Sequence, residues 1–131
     1  MTSSVTLYSD YVGPYCFYAV HLISHVAATE MSTIKWMPLE LCPDPQPTLR
    51  PDGEYVKMVW WDWVCPMTER LGIPIKLSNI FPQPHTGLAF EGYQYALSQG
   101  RRPAYTRRMF TAFFQGERNI GELSVATEQR N

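Results

Sequence analysis

The chain has 131 residues, 45% hydrophobic and 18% charged, with 11 Lys and Arg against 12 Asp and Glu for a net charge of −1. That is the size and balance of one globular domain, and basic residues occur only in local pairs (Arg101-Arg102, Arg107-Arg108), which argues against nucleic acid as a partner. Apolar runs are too short to span a bilayer and Met1-Thr2-Ser3-Ser4 does not resemble a secretory leader, so a cytoplasmic protein without a membrane partner is expected.

Val5 to Ser9 reads as a short buried strand, rich in β-branched and aromatic residues. A loop, Asp10-Tyr11-Val12-Gly13, leads into a helix from about Pro14 to Thr29, with Gly13 at the N-cap and Pro14 at the first position, where no N–H is needed. Cys16 falls in the first turn, near unpaired N–H groups that favour a thiolate. After a turn at Met31-Ser32-Thr33, Ile34 to Leu41 alternates as a second strand, and Pro38 marks an edge or a bulge. Strand, helix and strand make a βαβ unit over residues 1–42, whose ligand chemistry belongs beyond the C-terminal strand ends. The Gly13–Cys16 loop and Cys42 both lie there.

Cys42-Pro43-Asp44-Pro45-Gln46-Pro47 opens a proline-punctuated loop running to about Gly53. Residues 54–130 then read as a helical part. Its first helix, Tyr55 to Leu71, should kink or split near Cys65 because Pro66 interrupts it. Thr86 is placed to cap a helix from Gly87 to Ser98, and Pro103 starts another that runs to Phe114. Tyr105, Met109, Phe110, Phe113 and Phe114 form an apolar stripe that reads as core and not as a cofactor box. Ile120-Gly121-Glu122 leads to a last short helix. Trp60, Trp61 and Trp63 cluster as core or interface residues.

Three cysteines without a leader read as reduced thiols. Cys65, between Val64 and Pro66-Met67, reads as core. Cys42 and Cys16 share one end of the sheet, which leaves a pairing open without establishing it. His21 and His25 lie one helical turn apart but read as solvated side chains, and His85 as a loop residue or cap, so no metal site is expected. Asp10 reads as a partner of the helix dipole.

Val5-Thr6-Leu7-Tyr8-Ser9-Asp10-Tyr11-Val12-Gly13-Pro14-Tyr15-Cys16 resembles the start of DsbA-like thioredoxin-fold oxidoreductases, in particular the FrnE-type branch. That branch neighbours the 2-hydroxychromene-2-carboxylate isomerases and kappa-class glutathione transferases. Trp36-Met37-Pro38-Leu39-Glu40-Leu41 with Pro43-Asp44 is similar to the family's second strand, and Pro84-His85-Thr86 through Asn119-Ile120-Gly121 to its helical insertion. The resemblance implies an α/β fold: one truncated thioredoxin-like domain over 1–131, a βαβ unit followed by the insertion. The family's cis-proline loop, C-terminal strands and last helix are absent from this sequence.

In redox-active members the position of Gly13 is the nucleophilic cysteine and Cys16 matches its partner; in the isomerases and transferases a serine stands at 13. The resemblance therefore implies thiol–disulfide oxidoreductase-like chemistry with a degenerate G-P-Y-C motif, weak or inactive as a dithiol enzyme. Cys16 is its catalytic candidate, and Tyr11, Gly13, Pro14, Tyr15 and Cys42 are loop or ligand-binding candidates. No resident cofactor is implied, and glutathione enters as a candidate co-substrate. A non-catalytic binding or self-association module and a glutathione-dependent isomerase remain the alternatives. Partners are expected to be a thiol, a disulfide or a small molecule. A homodimer through an exposed first strand is expected too.

Overall fold

A computed structural model describes residues 4–29 and 33–130. The β-branched and aromatic run at the start forms β1 (Ser4–Ser9), which lies parallel to β2 (Thr33–Pro38) with Leu7 opposite Trp36 and Ser9 opposite Pro38. The crossover between them is α1 (Pro14–Thr29). The turn expected at Met31 and Ser32 lies outside the described residues.

The second strand is shorter than its alternation predicts, ending at Pro38 and not Leu41. Leu39 N–H still donates to the Ser9 carbonyl at 3.0 Å. Beyond Ser9 the chain leaves the sheet, and the Leu41 N–H goes to the Asp10 carboxylate at 2.8 Å. A side chain has replaced the strand partner. Among the described residues β1 pairs with β2 alone, and Val5 and Tyr8 are 46% and 63% exposed.

Helical structure resumes with α2 (Glu54–Val59), passes through a π-helical turn at Trp60–Val64 and continues as α3 (Cys65–Leu71). The break falls where Pro66 requires it. Proline supplies no N–H to the ladder, and the Cys65 N–H reaches back five residues to the Trp60 carbonyl. Gly72, left-handed at φ 68°, ends α3. The tryptophans do not act as one cluster: Trp60 is buried, whereas Trp61 and Trp63 are exposed on the far side of the turn.

The remaining helices are α4 (Gly87–Ser98), α5 (Arg102–Phe114) and α6 (Leu123–Arg130). Thr86 occupies the N-cap of α4 but makes no side-chain capping bond. Pro103 is the second residue of α5, one later than expected. The α5 stripe is the centre of the core, with Tyr105, Met109, Phe110, Phe113 and Phe114 all buried. Gly92 lets α4 approach closely, since a Cβ there would collide with the Tyr105 hydroxyl oxygen. That hydroxyl donates to the Ala89 carbonyl. Phe110 meets Tyr11 at a ring-centroid distance of 5.1 Å and Phe17 at 5.9 Å, while Phe114 meets Trp60 at 6.5 Å. One helix thus holds the loop after β1, the start of α1 and the π turn.

Candidate functional site

The loop after β1 is fixed from both ends. Gly13 N–H donates to the Asp10 carbonyl and Phe17 N–H to the Gly13 carbonyl, each at 3.1 Å, so the turn closes as the helix opens. Pro14 stands first in α1, where its missing N–H costs nothing. Tyr11 turns inward, 2% exposed and stacked on Phe90 at 4.9 Å. It anchors the loop in the core and does not line the cavity above it.

That cavity has a volume of about 320 Å³. Val12, Gly13, Pro14, Tyr15 and Cys16 form one wall, and Leu41 and Cys42, past the end of β2, face it. Thr48, Leu49, Tyr55, Val59, Gln83, Pro84 and Thr86 complete the lining, with Asp10 at the base of the loop. Cys16 and Cys42 are half-buried free thiols that share the cavity; no disulfide joins them. Cys65 lies elsewhere, packed half-buried against the core.

Gly13 is the position where side-chain size matters. A Cβ built there would lie 3.1 Å from Cys16 Sγ. In a disulfide of ordinary geometry, a Cβ stands about 3 Å from the far sulfur. The backbone therefore presents residue 13 to Cys16 at disulfide spacing, and glycine leaves that space empty.

The electrostatics correct one expectation. Burial pushes the Cys16 thiol up; the Asp10 backbone offsets part of this and the Asp10 charge adds to it. At this helix start desolvation is the largest influence, and it favours the Cys16 thiol over the thiolate. Asp10 is not simply a dipole partner either. It is 2% exposed, and burial pushes its carboxyl up against the opposing pull of the Leu41 N–H and, to a lesser degree, Thr86, Val12 and Tyr11. Its Oδ1 is buried with no hydrogen-bond partner among the described residues. An acid directly after a strand and before Tyr11 is the signal that could have marked it as buried.

The other wall was not legible as cavity. Leu49 and Tyr55 come from the proline loop and α2, held by the Thr48 hydroxyl on the Gln83 carbonyl and by His85 Nε2 on the Gln46 carbonyl at 2.7 Å. His21 is exposed, with Nδ1 3.2 Å from the Phe17 carbonyl oxygen; the His25 side chain lies outside the described residues. Among the described residues no cluster of three metal-ligating side chains forms, and no helix is long and apolar enough to cross a membrane.

The profile of the DSBA-like thioredoxin domain matches residues 4–129. Uncharacterized protein YwbO of Bacillus subtilis (strain 168) is 38% identical over 129 residues, covering 98% of this chain and 64% of that protein. A crystal structure from Nitrosomonas europaea, provisionally assigned as a protein disulfide isomerase, superposes with a TM-score of 0.73 at 15% identity. That match covers 98% of this chain and 63% of that one. Cytosolic disulfide reductase DsbM from Pseudomonas aeruginosa, solved with GSH, gives 0.70 at 15% identity over 96% of this chain and 62% of that one. These two structures share the fold. The chain spans under two thirds of the length of each protein it matches here.

Proposed function

The chain belongs to the DSBA-like thioredoxin domain family, and from that premise we propose that it is a thiol–disulfide exchange protein whose motif lacks its lead sulfur. The observation that carries this reading is the 3.1 Å between Cys16 Sγ and the Cβ position of residue 13. The loop is built for a two-sulfur couple and holds one. A cyclic dithiol couple needs both sulfurs, so turnover on protein disulfides is weak or absent in this chain. Glutathione fits as a co-substrate, in keeping with the GSH of the DsbM structure. A cytoplasmic location, as for that reductase, belongs to the same proposal.

The test is insulin reduction by the wild type and by Gly13→Cys. The wild type should stay at background and the variant should turn over; an active wild type, or a folded, inactive variant, would count against the reading. A second reading, a non-catalytic binding module, draws on the cavity's apolar rim, where Leu41, Leu49 and Tyr55 are exposed. It predicts ligand binding that survives Cys16→Ser. Self-association through β1 is part of the proposal as well, since Val5 and Tyr8 stand exposed on a strand that pairs on one side.

A further inference from the structure

The cavity holds two features that a dithiol scheme does not use: the open space at residue 13, and the buried Asp10 Oδ1 with no partner among the described residues. We propose that Cys16 is itself the exchanging sulfur, that one sulfur of a small disulfide enters through the gap left by Gly13, and that Asp10 accepts the thiol proton. This rests on reading the loop as a thiol–disulfide site, but reverses the usual roles, making the second motif cysteine the attacker.

A side chain at residue 13 would sit 3.1 Å from Cys16 Sγ and cover it. Glycine removes the cover, and the uncovered sulfur faces a cavity of about 320 Å³. That volume is at the small end of ligand sites, which run from about 300 to 1,000 Å³, so the substrate class is a low-molecular-weight disulfide and not a folded protein. The half-exposed ring of Tyr15 and the exposed ring of Tyr55 line the cavity. Because Cys16 is held as a thiol, attack needs a proton acceptor. The titratable groups lining the cavity with it are Asp10, Tyr15, Cys42 and Tyr55. Of these, Asp10 is the group that brings a buried carboxylate oxygen with no partner among the described residues, which makes it the acceptor. Glu40, Asp44, His85 and Glu91 line the adjoining cleft beyond Gln83 and Pro84.

In the step, the Cys16 S–H proton passes to the Asp10 carboxylate as Sγ attacks one sulfur of R–S–S–R. The Sγ–S bond forms, the R–S–S–R bond breaks, and the leaving thiolate takes the proton from Asp10. One disulfide replaces another and no outside oxidant is consumed.

The test treats the full chain with oxidised glutathione and follows it by intact mass and peptide mapping. One glutathione adduct is expected, on Cys16, absent in Cys16→Ser. Gly13→Ala should slow its formation by roughly tenfold or more, because the methyl group fills the gap. Asp10→Asn should slow it at neutral pH. A carboxylate that only repels the thiolate would instead make that variant faster, which would overturn the assignment of Asp10. Should Asp10→Asn fail to fold, the wild-type rate decides: with a carboxylate acceptor it levels off before the thiol itself titrates, but it climbs about tenfold per pH unit up to that point if free thiolate attacks unaided. An adduct on Cys42 or Cys65, or an unchanged rate in Gly13→Ala, overturns the proposal. If Gly13→Cys reduces insulin while the wild type never forms the Cys16 adduct, this inference fails and the family reading stands; if neither occurs, both fail.

Discussion

Asp10 and Cys16 stand three residues to either side of Gly13, and the three positions share one small space. Sequence showed the spacing to Gly13 but not the burial. An acid beside a helix start reads as a surface group favouring the dipole, whereas here it caps the end of β2 through the Leu41 N–H. The cost of burying that carboxylate has a pH signature. Burial raises its folded-state pKa above the ordinary 3.8, so the native state holds the proton more tightly than the unfolded chain. Stability is then lost as pH rises from the unfolded value through the folded one, and the full penalty applies above both. Asp10→Asn keeps an acceptor for Leu41 without the charge. Its melting temperature relative to wild type should therefore increase from acid to neutral pH; a difference that is flat or shrinks would contradict this.

At the scale of elements, what the sequence exposed best was periodicity. The α5 stripe is buried throughout, as its helical spacing predicts, and Pro66 breaks the α2–α3 run at the expected place. What it exposed poorly was anything decided by partners distant in sequence. The second strand stops at Pro38, and past it the Leu41 N–H turns to the side chain of Asp10, in another segment, and not to a strand partner. Thr86 sits at an N-cap yet is buried beside the loop, and the π turn directs Trp60 inward while leaving Trp61 outside. Two substitutions separate these environments. Phe110→Ala, at a fully buried ring touching Tyr11, Phe17 and Phe114, should cost about 3–5 kcal/mol in urea unfolding. Trp61→Ala, at a side chain 70% exposed, should stay within about 0.5 kcal/mol of wild type. Similar losses at the two positions would contradict the arrangement of helices.

For the whole molecule, family and element order were legible because the opening strand, loop and helix carry recognisable residues in the right sequence. The cavity was less so: its second wall is assembled from the proline loop, α2 and the segment before α4, whose residues carry no local pattern that marks them as neighbours. The sheet has a consequence at this scale. With two strands among the described residues, β1 presents an edge bearing Val5 and Tyr8, so light scattering of this chain should report a homodimer, and Val5→Lys should shift it toward monomer. A monodisperse monomer across working concentrations would contradict that. Whether residues 10–16 form a thioredoxin-type active-site loop without its lead sulfur is decided by the free-thiol count and intact mass of Gly13→Cys after mild oxidation. The geometry predicts loss of two hydrogens and a disulfide mapped between residues 13 and 16; a folded variant that keeps both thiols free would contradict it.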